Sequence, residues 1–158
     1  MSFKEHKTPK KLFIIKSYQS LSKIEIVLRH IDQKSNNALQ LSILGKLPTN
    51  TKELKNSTIV IKKELSAILG KEFQFGYFHN PEIGSLFISG HLTPTFLNKV
   101  DEKELASLST GISGILRGLG IKKDNINTYL TALKNNHYCL IIRGESSVLD
   151  IIAPILIE

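Results

Sequence analysis

Aromatic and basic residues carry the most specific chemical suggestion in this chain. Lys71-Glu72-Phe73-Gln74-Phe75-Gly76-Tyr77-Phe78 partly matches the RNA-recognition signature K-G-F-G-F-V-x-F, and Leu12-Phe13-Ile14 matches the start of its partner strand. In that chemistry Phe13, Phe73 and Phe75 stack bases while Lys71 and its neighbours hold phosphates. Two features oppose it. Phe13 and Phe73 stand 60 residues apart, too far for the usual compact module, and Glu72 occupies the position where the signature has glycine. A buried hairpin accounts for the same aromatics without a nucleic-acid ligand.

Metal and nucleophile chemistry finds less material. His137 and Cys139 share a strand face, and His79 and His91 bracket a hairpin, so these soft ligands serve a metal only if the fold gathers them. Cys139, between Tyr138 and Leu140, reads more simply as a core thiol, and no base is visible beside it. No carboxylate pair stands out for acid–base work. No catalytic, metal-binding or cofactor-binding residue is assigned.

The glycines of Gly111-Ile-Ser-Gly114-Ile-Leu-Arg-Gly118-Leu-Gly120 invite a phosphate reading, which fails on spacing. They have neither the GK[ST] ending of a P-loop nor a GxGxxG after a strand. On a helix, Ser107, Gly111, Gly114 and Gly118 instead form a small-residue stripe beside the apolar stripe Leu105, Leu108, Ile112, Ile115 and Leu119. Each interior glycine costs about 1 kcal/mol relative to alanine, so close packing is the natural compensation. Gly111, Gly114 and Gly118 are the candidate packing or interface residues, with a second copy or another protein as partner.

The elements that hold these residues follow from periodicity. Lys11 to Tyr18 reads as a strand, Leu21, Ile24, Leu28 and Ile31 as a helix stripe stopped at Asn36-Asn37, and Leu39 to Ile43 as a strand ended by Gly45. A linker to Ser57 precedes a helix over Thr58 to Leu69. Phe73, Phe75 and Tyr77 alternate in a strand that turns at His79-Asn80-Pro81 into Ser85 to Gly90. Asp101 with Glu104 makes a capping box that predicts a helix from Asp101 to about Leu119, stopped by Gly120. Ile126, Tyr129, Leu130 and Leu133 form another helix stripe, Tyr138 to Arg143 a strand, and Ser146 to Ile157 a helix bent or ended by Pro154. Asn36-Asn37…Gly45 is echoed by Asn135-Asn136…Gly144, which hints at two similar units.

The expected domains are a flexible basic arm over 1–10 and one α+β domain over 11–158. Within the latter lie a β-α-β unit at 11–45, an insertion and hairpin at about 46–100, the glycine-spaced helix at 101–120, a second α-β unit at 121–144 and a C-terminal helix at 146–157.

Charge is unevenly placed. Residues 1–79 carry 14 Lys/Arg against 6 Asp/Glu, whereas residues 80–158 carry 7 against 8. The excess is nearly all lysine, the usual solvated surface residue, though it also suits nucleic acid or an anionic surface. One cysteine excludes an internal disulfide framework. No stretch approaches the roughly 20 apolar residues of a membrane span, and the first residues lack the apolar core of a secretory signal. A cytoplasmic location is expected.

Order and spacing from Pro81 onward, namely Pro81, Gly84, Gly90, Leu92, then Leu119-Gly120-Ile121, Tyr129, Leu133 and Leu140, resemble the bacterial heat-induced general stress protein family (YflT-like) and its glycine-rich relatives of unknown function. Lys122 stands where that pattern has proline and Asn135-Asn136 where it has a glycine pair. The resemblance implies a ferredoxin-like sandwich, with helices on one face of an antiparallel sheet and a glycine-containing insertion, and implies no established activity. The expected function is that of a non-enzymatic, stress-associated cytosolic domain acting through oligomerisation or by binding a protein or ligand. The alternative is nucleic-acid or anionic-surface binding through the lysine-rich first half and the hairpin aromatics.

Overall fold

In strand β7 (Tyr138–Glu145), Cys139 and Ile141 join one apolar cluster and Leu140 and Ile142 the other, and all four are buried. A strand apolar on both faces needs cover on both faces. The computed structural model, which describes residues 11–35, 39–47 and 51–157, supplies that cover. Strands β1 (Lys11–Tyr18), β2 (Gln40–Lys46), β3 (Phe75–Asn80) and β4 (Gly84–Gly90) join β7 in one five-stranded sheet of order β1-β7-β2-β4-β3. Every neighbouring pair is antiparallel. The protein is therefore α+β with an antiparallel sheet.

Helices α1 (Leu21–Ser35), α2 (Thr51–Leu69) and α6 (Ser146–Ile157) cover one face. There Ile24, Leu28, Leu65 and Ile152 pack on Ile43, Phe87 and Leu140. The other face is covered by α3 (Thr93–Leu97), α4 (Gly111–Gly118) and α5 (Lys123–Lys134). Phe96, Ile112, Leu116, Ile126 and Leu133 pack there on Leu44, Leu86, Ile88 and Ile141. The expected sandwich with helices on one face is thus corrected to three layers. The reason lies in the strands: β4 and β7 carry large apolar residues on both sides, half of which a one-sided cover would leave exposed. The two echoing units also part here, since α1 and α5 lie on opposite faces.

Other boundaries shift for local reasons. β2 continues through Gly45 to Lys46, paired with β4 as far as Leu86. α2 starts at Thr51, so most of the expected linker is helix, and Phe73 precedes β3. The arm over 1–10 and the stop at Asn36-Asn37 lie outside the described residues. Asn136 does what an asparagine after a helix can do, taking φ 65° at the end of α5. The amide of His137 then reaches back to the Ala132 carbonyl at 2.9 Å.

The largest departure is the helix expected from Asp101. Asp101 and Glu102 have φ 52° and 69°, the signature of a two-residue hairpin turn, and join β5 (Lys99–Val100) to β6 (Lys103–Glu104). A 3-10 turn over Leu105–Ser107 follows, and α4 begins only at Gly111. Asp and Glu three apart suit a capping box, but Ser107, Ser109 and Thr110 are weak helix formers, and burial of Ala106 draws the chain onto the sheet.

Candidate functional site

α4 is positioned by the turn that precedes it. Asn80, buried at the end of β3, donates to the carbonyls of Ala106 at 2.9 Å and Leu108 at 3.0 Å and accepts from the Glu82 amide at 2.8 Å. All of its amide's main valences are used, so its role is to fasten this turn to the sheet. Gly111 then passes so close to the turn that a β-carbon there would sit 1.9 Å from the Leu105 carbonyl oxygen. Ile112, Ile115 and Leu116 enter the core. The helix closes on Gly120, at φ 94°, with the Ile121 amide bonded to the Leu116 carbonyl at 3.1 Å.

The outward side of α4 is nearly bare. Gly114 and Gly118 are exposed, and a β-carbon at either would meet nothing within 4 Å among the described residues. Close packing within the chain thus accounts for Gly111 and not for the other two glycines. Beside them runs an open groove of about 570 Å³, walled by Leu105, Leu108, Ile115 and Leu119. A second cavity of about 330 Å³ lies between α4 and α5, lined by Ser113, Arg117, Lys123 and Asn127. Thr110 and Gly114 border both. Sequence reasoning placed Leu105, Leu108 and the three glycines on one long helix. It assigned no role to Arg117 or Lys123, whose nearness arises only when α4 and α5 fold back on each other.

The aromatic candidates do not assemble. Phe13 on β1 joins the face covered by α3 to α5, with the Arg143 guanidinium 6.0 Å from its ring centre. Phe75 on β3 faces the other way, stacked on Phe87 at 5.9 Å, with the Lys62 ammonium 5.0 Å from its ring. β1 and β3 are the two outermost strands, roughly 19 Å apart across four strand spacings. Phe73 packs half-buried with the Phe75 cluster, and Lys71 is exposed in the turn before it. The structure brings Phe73 and Phe75 together, near Lys71 in the chain, and leaves Phe13 on the opposite face.

The thiol and imidazoles are likewise dispersed. Cys139 is fully buried, and burial pushes its thiol up to about 12. His79, 3.5 Å from the Ser85 hydroxyl, lies at the turn end of the β3–β4 hairpin, whereas His91 follows β4 at the far end. His91 is held below its ordinary value by burial first, then by the charges of Arg143 and Lys11. Among the described residues no three of His, Cys, Asp and Glu are grouped as metal ligands would be. No described helix is long and apolar enough to cross a membrane.

Compared with known proteins, the chain matches no family model, no curated protein and no solved structure. The likeness to heat-induced stress proteins therefore stands on the residues quoted for it alone.

Proposed function

We propose that this chain is a non-enzymatic binding domain that works through the groove alongside α4. The carrying observation is the contrast between glycines of one helix: Gly111 is needed for close approach, while Gly114 and Gly118 border empty, apolar-walled space. Bare helix backbone beside an open apolar groove is suited to receiving a ligand or partner. The scaffold we propose shares its strand order with the ferredoxin-like fold and departs from it in setting α2 and α5 on opposite faces. From β2 onward the strands come as β-α-β-β-α-β in the spatial order fourth, first, third, second, with β1 added at one edge. The cytosolic, stress-associated setting is a proposal that rests on the sequence resemblance, and a second copy of the chain is the alternative occupant of the groove.

The experiment uses the uncharged dye Nile red, whose emission rises in apolar sites. The wild-type protein should enhance it, and Gly114→Leu, which fills the groove, should abolish the enhancement while the melting temperature stays within a few degrees of wild type. No enhancement by wild type, or enhancement untouched by the substitution, contradicts the proposal. Light scattering on both proteins reports whether a second copy occupies the groove instead.

A second reading, binding of a nucleic acid or another anionic surface, has one observation in its favour. Lys11 and Arg143 lie close enough to His91, at one end of the sheet, for their charges to act on its ring. Retention of mixed RNA and DNA pools at low salt, lost when Lys11 and Arg143 are both replaced by glutamine, supports it; no retention at low salt removes it.

A further inference from the structure

The two cavities flanking α4 differ in their polar lining and meet at Thr110 and Gly114. On a helix turning 100° per residue, Ser113 and Arg117 fall to one side of Gly114 and Gly118 and Ile115 to the other. Gly114 and Thr110 thus form the ridge between the cation-bearing cavity and the apolar groove, and at Gly114 that ridge carries no side chain. The apolar side is walled by leucine and isoleucine. The other side gathers two cations, Arg117 and Lys123, with the hydroxyls of Thr110 and Ser113 and the amide of Asn127, around the apolar side chain of Ile126. Among the described residues no acidic side chain lines either cavity. Asp124 adjoins Lys123 in the chain without lining the cavity, and the described ion pairs do not include Arg117 or Lys123.

We infer that the ligand of this groove is an amphiphilic anion, an acyl chain ending in a carboxylate. The inference rests on the proposed groove function and names its ligand class. The chain lies along Leu105, Leu108, Ile115 and Leu119, crosses the bare backbone at Gly114 and delivers its carboxylate to Arg117 and Lys123. Guanidinium and ammonium groups donate charge-assisted hydrogen bonds to such a head, and the hydroxyls and amide supply neutral ones. The combined space falls within the range of small-molecule sites, about 300–1,000 Å³. An apolar peptide or a neutral lipid would use the groove and leave the two cations without partners.

The test displaces Nile red from the full chain with dodecanoate and, separately, with dodecyl alcohol, below the concentrations at which either self-associates. Arg117→Gln/Lys123→Gln serves as the head-group variant, since both side chains are exposed and their replacement leaves the core intact. Dodecanoate should displace the dye at roughly tenfold lower concentration than the alcohol, and the double variant should erase that preference. Equal displacement by acid and alcohol overturns the anionic head while leaving the groove function standing. Displacement by neither, with dye binding still sensitive to Gly114→Leu, overturns the acyl chain. Absence of dye binding overturns both readings together.

Discussion

Gly111 and Gly114 sit one turn apart on the same helix and should respond oppositely to the same substitution. At Gly111 the added methyl meets the Leu105 carbonyl, a backbone atom that cannot swing aside. Gly111→Ala should destabilise the fold by about 1–3 kcal/mol, seen as a lower urea midpoint. Gly114→Ala meets nothing and gains helix propensity, so the midpoint should stay or rise by up to about 1 kcal/mol. Asn80→Ala removes the donor that holds the carbonyls of Ala106 and Leu108 and should cost about 1–3 kcal/mol in the same assay. Cys139 and Tyr18 set an alkaline limit. Burial raises their pKa values from 9.0 and 10.0, each to about 12, so in both cases the unfolded chain ionises first. Their contribution is intact below about pH 9 and declines as pH rises toward about 12, which urea midpoints measured across that window should follow. From sequence alone, Cys139 was legible as a core thiol because its neighbours are apolar. The difference between Gly111 and Gly114 was not, because it depends on where Leu105 lies.

At the scale of elements, strands and amphipathic helices were legible where a local period decides them. β1, β4, β7, α1, α5 and α6 stand close to where alternation and 3.6-residue stripes place them. The segment from Asp101 to Thr110 was not legible, because a capping box and a turn draw on the same residue types. Its outcome is settled by distant partners, with Asn80 receiving the turn and Ala106 buried on the sheet. Asp101 and Glu102 hold left-handed backbone that asparagine and glycine adopt more readily. Asp101→Asn with Glu102→Gly should therefore raise the melting temperature by a few degrees in a calorimetric scan. A lowered melting temperature would indicate that the acidic side chains are needed at the tip.

For the whole molecule, the decisive feature is that helices cover both faces of the sheet. An RNA-binding sheet needs one open face, and here Phe13 and Phe75 are separated by the sheet itself. Sequence led to an expectation of helices on one face and did not show which helix covers which side, since α1, α2 and α5 present similar amphipathic stripes. The groove proposed as the binding site lies outside the sheet, along α4, in a place that exists only after the chain from β4 to β7 has folded as a unit. The most direct measurement is a map of backbone amide NMR shifts as Nile red is titrated into the wild-type protein. Shifts concentrated at Gly114, Gly118, Leu119 and the Leu105–Leu108 turn are the expected result. Shifts concentrated at the opposite layer, or at the sheet end that carries Lys11, Arg143 and His91, would contradict a binding domain built around α4.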